Sequence, residues 1–268
     1  MILIKIRFII ALILVLALVG CGKTATDAPS QDDFGFITIS TSDELLQELD
    51  GESVVAEVGW QNVTLSEEDA EKYPELNKRF EEMNAENADS AQSTLEEFLE
   101  MAEEFPVELN AWYYYSNKKA NLQRADKYIV SIISDYADYT GGAHGYYSNL
   151  GINISPETGK DVSLEEVIRD REVFDKLVYD SLLEQEIYEI LEENRQSFYE
   201  TYTEQGYNWS IDYEKLTVYF NPYELASYAA GILTVEVEFE EHPELFFEEY
   251  TKAPSLVPQS EADENGAE

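Results

Sequence analysis

A segment rich in tyrosine, tryptophan, isoleucine and valine occupies residues 107–154, in the middle of the sequence. Asn-Lys, Asn-Leu and Gly-Gly dipeptides interrupt this segment and divide it into short runs. Short runs of β-forming residues that are separated by turn residues are typical of an antiparallel meander. The sequence therefore predicts an antiparallel sheet at the centre of the fold.

Helices are predicted before and after this segment in the sequence. Residues 65–84 and 94–105 carry apolar side chains at helical spacing, which predicts two amphipathic helices. Further along, Ser163 and Glu166 fit a capping box, in which both side chains satisfy free backbone N–H groups at a helix start. That helix is predicted to continue to about residue 203 and to pack an apolar stripe against the sheet. The stripe consists of Phe174, Leu177, Val178, Leu182, Ile187, Ile190 and Leu191.

Four more strands are predicted from alternating apolar residues. They span residues 34–40, 53–58, 215–220 and 231–239. Between the first two, Leu45, Leu46 and Leu49 have the spacing of a short helical face. Helices segregated from antiparallel strands define the α+β class, so we expect antiparallel sheets packed against amphipathic helices.

The composition predicts a folded, strongly acidic body. Hydrophobic residues make up 44% of the chain, which is too many for intrinsic disorder. The formal net charge is −39, from 17 basic and 56 acidic residues. Such a field repels nucleic acid and attracts cations and basic proteins. The simpler explanation of the charge is that acidity keeps an exposed protein soluble, so the charge alone names no ligand.

The first 20 residues resemble an export signal, with Lys5 and Arg7 before an apolar run and small residues at its end. The run from Leu18 to Cys21 resembles the bacterial lipobox. Cys21 is the only cysteine, so its acylation would leave no thiol for a disulfide, a metal site or a nucleophile. We therefore expect a lipoprotein held outside the cell membrane by a lipid on Cys21.

The sequence divides into five parts. Residues 1–20 are the expected signal, and residues 21–33 carry the lipidated cysteine and a polar tether. Residues 34–125 are expected to form an N-terminal α+β region, and residues 126–252 a second domain. Residues 253–268 have the composition of a disordered acidic tail.

Two ordered motifs carry a resemblance to a known family. The first is Tyr-Thr-Gly-Gly-Ala-His-Gly at residues 139–145, followed by Thr158-Gly159-Lys160 and Val162-Ser163-Leu164. The second is Asn-Pro-Tyr-Glu-Leu-Ala-Ser-Tyr-Ala-Ala-Gly at residues 221–231. Together they resemble the RsiV-type extracellular domain, which occurs in lysozyme-sensing anti-sigma factors and beside some peptidoglycan deacetylase domains. We do not expect an anti-sigma factor, because a sigma-binding segment and a retained membrane helix are not recognisable here.

The motif residues are expected to be mainly architectural. Gly141 and Gly142 would supply positive φ for a turn between strands, and Gly159 would do so before a helix. His144 lies in the first of these motifs.

The second motif has the pattern of a short loop. Pro222 and Gly231 would bracket it, and Tyr223 and Tyr228 would anchor it by burial of their rings.

No catalytic site, metal or cofactor is predicted. His144 and His242 are the only histidines and are far apart in sequence. A triad of Ser131 or Ser148 with His144 and Asp138 lacks the usual nucleophile motif. The acidic residues are so numerous that a pair at glycosidase spacing is expected in any case and indicates no activity. The sequence does not decide whether acidic clusters bind calcium loosely.

Two functional hypotheses remain. The family resemblance implies a non-enzymatic recognition module that captures a basic wall-active protein such as a lysozyme. The alternative is a module that binds wall glycan through stacked aromatic rings. The candidate stacking residues are Tyr113, Tyr115, Tyr146 and Tyr147, of which only some can be exposed because alternate residues of a strand face opposite sides.

Overall fold

The computed structural model describes residues 35–104, 113–185 and 195–252. Eight strands form two sheets, which confirms the α+β class. The strands are β1 Ile39–Asp50, β2 Ser53–Leu65, β3 Tyr114–Ala125, β4 Val130–Tyr139, β5 Tyr146–Ile154, β6 Asn208–Ile211, β7 Lys215–Phe220 and β8 Leu233–Glu238. The helices are α1 Glu67–Lys72, α2 Pro74–Glu104, α3 Arg171–Leu183, α4 Arg195–Gln205 and α5 Glu248–Thr251.

The first sheet contains β1 to β5 in sequence order. β3, β4 and β5 are antiparallel neighbours, which confirms the predicted meander. β2 and β3 are instead parallel. A parallel connection needs a crossover, and α1 with α2 occupies that position in the chain. The predicted domain boundary between residues 125 and 126 falls in the turn from β3 to β4, within this one sheet.

Helix α2 covers one face of the first sheet. Leu76 and Phe80 pack against Val130, Ile132 and Ile154 near its N-terminal end. Farther along, its buried residues are Ala91, Leu95 and Phe98, which pack against β2 and β3. The prediction of two separate helices was wrong, because residues 85–93 contain nothing that stops a helix and α2 runs through them.

The predicted helical turn around Leu45, Leu46 and Leu49 was also wrong. These leucines belong to β1, which pairs with β2 along its whole length. The register shift beside Glu48 and Leu49 leaves Val55 of β2 without a partner, and β1 itself skips no residue. Pairing with β2, rather than the spacing of the leucines, therefore decides the structure of this segment.

The second sheet contains β6, β7 and β8 and forms the largest core together with α3. Phe174, Val178 and Leu182 are buried there, as the predicted stripe requires. The capping box at Ser163 and Glu166 is present, but it opens a single 3-10 turn at Leu164–Glu166. Helix α3 begins separately, with Asp170 as its N-cap. Strands β7 and β8 agree with the prediction, whereas β6 was missed.

Side-chain amides join the two sheets. The edge strand β5 forms no ladder with a further strand, and side chains of Asn208 and Asn221 bind its backbone instead: Asn221 Oδ1 accepts from Asn149 N at 2.8 Å, and Asn208 Oδ1 accepts from Gly151 N at 2.7 Å. Both amide nitrogens donate to the carbonyl oxygen of Asn149. These contacts satisfy backbone groups that an open sheet edge leaves free.

Several expectations fall outside the described residues. They concern the signal, the lipidated Cys21, the tether, the acidic tail, and the stripe residues Ile187, Ile190 and Leu191. Within the described part of the chain, no helix is long and apolar enough to span a membrane.

Candidate recognition surface

The two sequence motifs meet in space. The ring of His144, from the first motif, stacks on the ring of Tyr228, from the second, with centroids 3.9 Å apart and planes 19° apart. The hydroxyl oxygen of Tyr223 lies 3.5 Å from Nε2 of His144. Residues that are far apart in sequence therefore form one cluster.

Tyrosines of the first sheet extend this cluster. Tyr115 and Tyr139 are direct cross-strand partners, and their centroids are 6.3 Å apart with planes 22° apart. The ring of Tyr113 lies 6.0 Å from that of Tyr115, and Tyr147 meets Tyr228 edge-on at 5.4 Å. We define the tyrosine surface as Tyr113, Tyr115, Tyr139, His144, Tyr147, Tyr223 and Tyr228.

Strand alternation decides which rings belong to the tyrosine surface. Tyr113, Tyr115 and Tyr147 lie on the sheet face opposite α2. Tyr114 points the other way, is buried and stacks on Phe98 at 5.9 Å. Tyr146 also lies on the α2 side, where its backbone N–H donates to Asp138 Oδ1. Three of the four candidate stacking residues are thus brought together, and Tyr146 is not one of them.

The second motif forms a tightly held loop. Asn221 is buried, and its backbone N–H donates to Glu224 Oε2 at 2.9 Å. The backbone N–H of Glu224 donates back to the Asn221 carbonyl at 3.0 Å, and Tyr223 N donates to Ala226 O at 3.0 Å. Three short-range contacts therefore hold the loop in one conformation.

Tyr223 departs from the prediction. Its side chain is 61% exposed, so the expectation that burial of this ring anchors the loop was wrong. Tyr223 also has φ of 74°, which makes it the one non-glycine residue of the described chain in the left-handed region. Strained backbone of this kind persists only where surrounding contacts enforce it, and it is frequent at functional sites. Tyr228 is half-buried and stacks on His144, so its ring fits the predicted anchoring of the loop better than the ring of Tyr223 does.

Gly141, Gly142 and Gly159 have the predicted positive φ, and Gly231 has it as well. Gly141 and Gly142 have φ of 93° and 92° in the connection between β4 and β5. Gly159 has φ of 65°, and a Cβ there would lie 2.5 Å from the Glu75 carbonyl oxygen at the start of α2. Gly231 has φ of 75° beside the hydroxyl of Tyr147.

Two phenols of the tyrosine surface, those of Tyr113 and Tyr228, have a raised pKa. Desolvation, followed by the neighbouring Tyr147 and Tyr223, raises the pKa of Tyr228. Burial and the charge of Glu57 raise the pKa of Tyr113. A tyrosine side chain combines an apolar ring with a hydrogen-bonding tip, which suits it to binding a partner.

Ser131 of the hypothetical triad has another role. Ser131 is buried, and its hydroxyl donates to Asn153 Oδ1 at 2.7 Å and accepts from Ile211 N at 3.0 Å. It therefore helps to join the two sheets. Across the described residues, no three His, Cys, Asp or Glu side chains gather closely enough to hold a metal ion.

Sequence reasoning assigned His144, Tyr223 and Tyr228 to architecture and did not predict that they meet. One sequence feature could have indicated the cluster: each motif contains aromatic residues in addition to the glycines that its turn requires. Tyr139 was missed as a surface residue, although it belongs to the first motif.

The molecule is thus an α+β protein with two sheets and an exposed aromatic surface where its two motifs converge. Residues 165–240 match a family model described as "Protein of unknown function (DUF3298)". The second motif lies inside this match, and the first motif precedes it. No curated protein is significantly similar to the chain.

Two solved structures share the fold. One is a DUF3298 family member from Bacteroides fragilis, with 16% identity and a TM-score of 0.57. The other is a DUF3298 family protein from Pseudomonas aeruginosa, with 16% identity and a TM-score of 0.52. Each match covers 81% of this chain and 96% of the other. The likeness therefore extends well beyond residues 165–240.

Proposed function

We propose that this chain is a non-enzymatic recognition lipoprotein that works outside the cell membrane and binds a basic wall-active protein, such as a lysozyme, through the tyrosine surface. The observation that carries this proposal is the convergence of both motifs on one exposed aromatic cluster. Tyrosine is enriched among the residues that dominate protein interfaces, because its ring buries a large area while its hydroxyl keeps a hydrogen bond.

The charge of the chain supports a basic partner. Cleavage of the expected signal would remove Lys5 and Arg7 and leave 15 basic and 56 acidic residues, a net charge of −41. This field speeds the approach of a basic protein by about 10- to 1000-fold at low salt. At physiological ionic strength the Debye length is roughly 8 Å, so only close contacts still select the partner. The tyrosine surface would supply those contacts.

Tyr223 is the residue that we expect to dominate binding. Its exposed ring is presented by a loop that is held before any partner arrives. Ordering a loop on binding costs free energy, so a preformed loop increases affinity.

The Tyr223→Ala variant tests this role. We expect it to weaken binding of a purified lysozyme by tenfold or more, since a dominant interface residue contributes about 2 kcal/mol or more. The change should lie mainly in the dissociation rate, measured by surface plasmon resonance at physiological salt. Melting temperature should hardly change, because the ring is exposed.

Tyr146→Ala provides the matched control. Tyr146 is also an exposed tyrosine, but it lies on the other face of the sheet. Its loss should alter affinity by less than about twofold, as surface substitutions away from an interface usually do. Equal effects of the two variants would contradict the proposed surface. Equal, salt-abolished binding of lysozyme and of a size-matched basic control protein would show nonspecific attraction instead.

A wall-glycan module is the second candidate. The nearly parallel pair of Tyr115 and Tyr139, with Tyr113 beside it, favours this alternative because sugar rings pack on aromatic faces. Soluble peptidoglycan fragments that bind wild-type protein, and lose binding in Tyr115→Ala, would support the glycan module over the basic-protein ligand.

Membrane attachment is tested separately at Cys21. Cys21→Ser removes the proposed acylation site, so we expect the protein to be released from the membrane or mislocalised, because the polar tether cannot replace the lipid. The measurement is fractionation together with intact mass, which should no longer include the lipid. Unchanged fractionation and mass would rule out lipidation at Cys21.

A further inference from the structure

A cleft of about 780 Å³ lies on the opposite side of β5 from the tyrosine surface. The N-terminal half of α2 forms one wall, and the end of α4 with β6 forms the other. A volume of this size is typical of sites for small organic ligands, and such sites are frequent where two substructures meet. The cleft therefore has the size and position of a ligand site.

Apolar side chains line part of this cleft. Leu150 is 55% exposed, although it belongs to β5 of the first sheet. Met83 and Ile152 lie beside it and are only partly buried. Tyr202 and Tyr207 line the other wall, with their rings parallel and 5.1 Å apart. These surfaces can cover an apolar body of modest size.

Lys118 brings a positive charge to the same cleft. Its ammonium group donates to the neutral Asn87 Oδ1 at 2.8 Å, and within the described ranges no carboxylate oxygen lies within ion-pair distance. Burial lowers the pKa of Lys118, and the charge of Glu86 acts in the opposite direction. A half-buried ammonium group without an anionic contact gains from a bound anion.

The acidic groups of the cleft are already engaged or exposed. Asp161 pairs with Arg79 at 3.3 Å. Glu224 accepts hydrogen bonds from Asn221 within the second-motif loop. Glu86 is exposed, so water screens its charge. Lys118 is therefore the group that a ligand anion can reach and neutralise.

We propose that this cleft binds a small amphipathic organic anion, with its carboxylate or equivalent group on Lys118 and its apolar body against Leu150, Ile152 and Met83. This site is separate from the tyrosine surface and goes beyond recognition of a basic protein. It also departs from the overall charge of the chain, which by itself repels anions.

Anilinonaphthalene sulfonate is a suitable first probe, because it joins an anionic group to an apolar aromatic body and fluoresces on transfer from water. We expect saturable binding to the native purified protein in detergent-free buffer, with a stoichiometry near one. Lys118→Gln should weaken that binding by about tenfold or more, since hydrogen bonds to charged groups are the strong ones. Octanoate should displace the probe, whereas octanol at the same concentration should not.

Lys119→Gln is the matched control. It makes the same change of charge one residue away, on an exposed side chain that faces the other side of the sheet. It should leave probe affinity within about twofold, as should Tyr223→Ala. Near-ultraviolet circular dichroism of each variant distinguishes a lost site from a loosened fold, which binds this probe without specificity.

Three results would overturn the proposal: no saturable binding to the native protein, equal affinities of the Lys118→Gln and Lys119→Gln variants, or equal displacement by octanoate and octanol. None of these results bears on lysozyme binding, so the two sites succeed or fail independently.

Discussion

Gly151→Ala is expected to destabilise the protein by about 3 kcal/mol or more, which is at or above the upper end of the usual cost of overpacking. Gly151 lies in β5, where β6 crosses close to the sheet. A Cβ atom there would lie 1.8 Å from the carbonyl oxygen of Trp209 and 2.5 Å from its carbonyl carbon. Both are backbone atoms, so no side-chain rotation can make room. The two sheets would have to separate at this point, with loss of the 2.7 Å hydrogen bond from Gly151 N to Asn208.

The measurement is thermal and urea unfolding of Gly151→Ala beside Gly59→Ala. Gly59 is also inside the first sheet, but a Cβ there would meet Asn117 at an ordinary 3.6 Å. Gly59→Ala should therefore change stability by less than about 1 kcal/mol. Each kcal/mol corresponds to roughly 2–4 °C in melting temperature for a domain of this size. Similar melting temperatures of the two variants would show that the sheets do not approach so closely.

Arg124→Met is expected to cost about 3–5 kcal/mol, because removing one partner of a buried ion pair leaves the other charge unpaired. The side chains of Arg124 and Asp126 are both fully buried, with 2.7 Å between Nε and Oδ2. Arg124 Nη1 also donates to the carbonyl oxygen of Tyr250 at 2.6 Å, and its guanidinium lies 4.9 Å from the ring centre of Tyr213. One side chain thus ties the first sheet to the C-terminal end of the fold.

Arg79→Met is the control for this second prediction. Arg79 pairs with Asp161, whose carboxylate is largely exposed, so this pair should contribute no more than about 1 kcal/mol. The double variant Arg124→Met with Asp126→Asn should recover part of the lost stability, because it removes the unpaired buried charge of Asp126. The amide oxygen of the new Asn side chain can still accept from Tyr128 N and Ile129 N. Urea unfolding of all four proteins gives the comparison. A loss for Arg124→Met no larger than for Arg79→Met would contradict a stabilising role of the buried pair.

The long-range organisation was the hardest part of the fold to predict. Strands β3, β4 and β5 follow one another with short connections, so their local pattern was sufficient. The parallel pairing of β2 with β3 leaves no local signal, because 48 residues separate the ends of these strands and α2 lies between them. Strand β6 is only four residues long and holds the sheets together through Asn208 and the Trp209 backbone, which no periodicity reveals.

Sequence and tertiary structure therefore determined different properties. Sequence alone determined the class of the fold, the meander, the buried stripe of α3 and the positive φ at Gly141 and Gly142, because each depends on side chains within a few residues of one another. Only the tertiary structure decided that His144 stacks on Tyr228 and that Tyr223 is exposed. It also decided that Arg124 is buried where the first sheet meets the C-terminal end of the fold. Those contacts join strands and loops far apart in the chain, and their geometry depends on how two sheets pack.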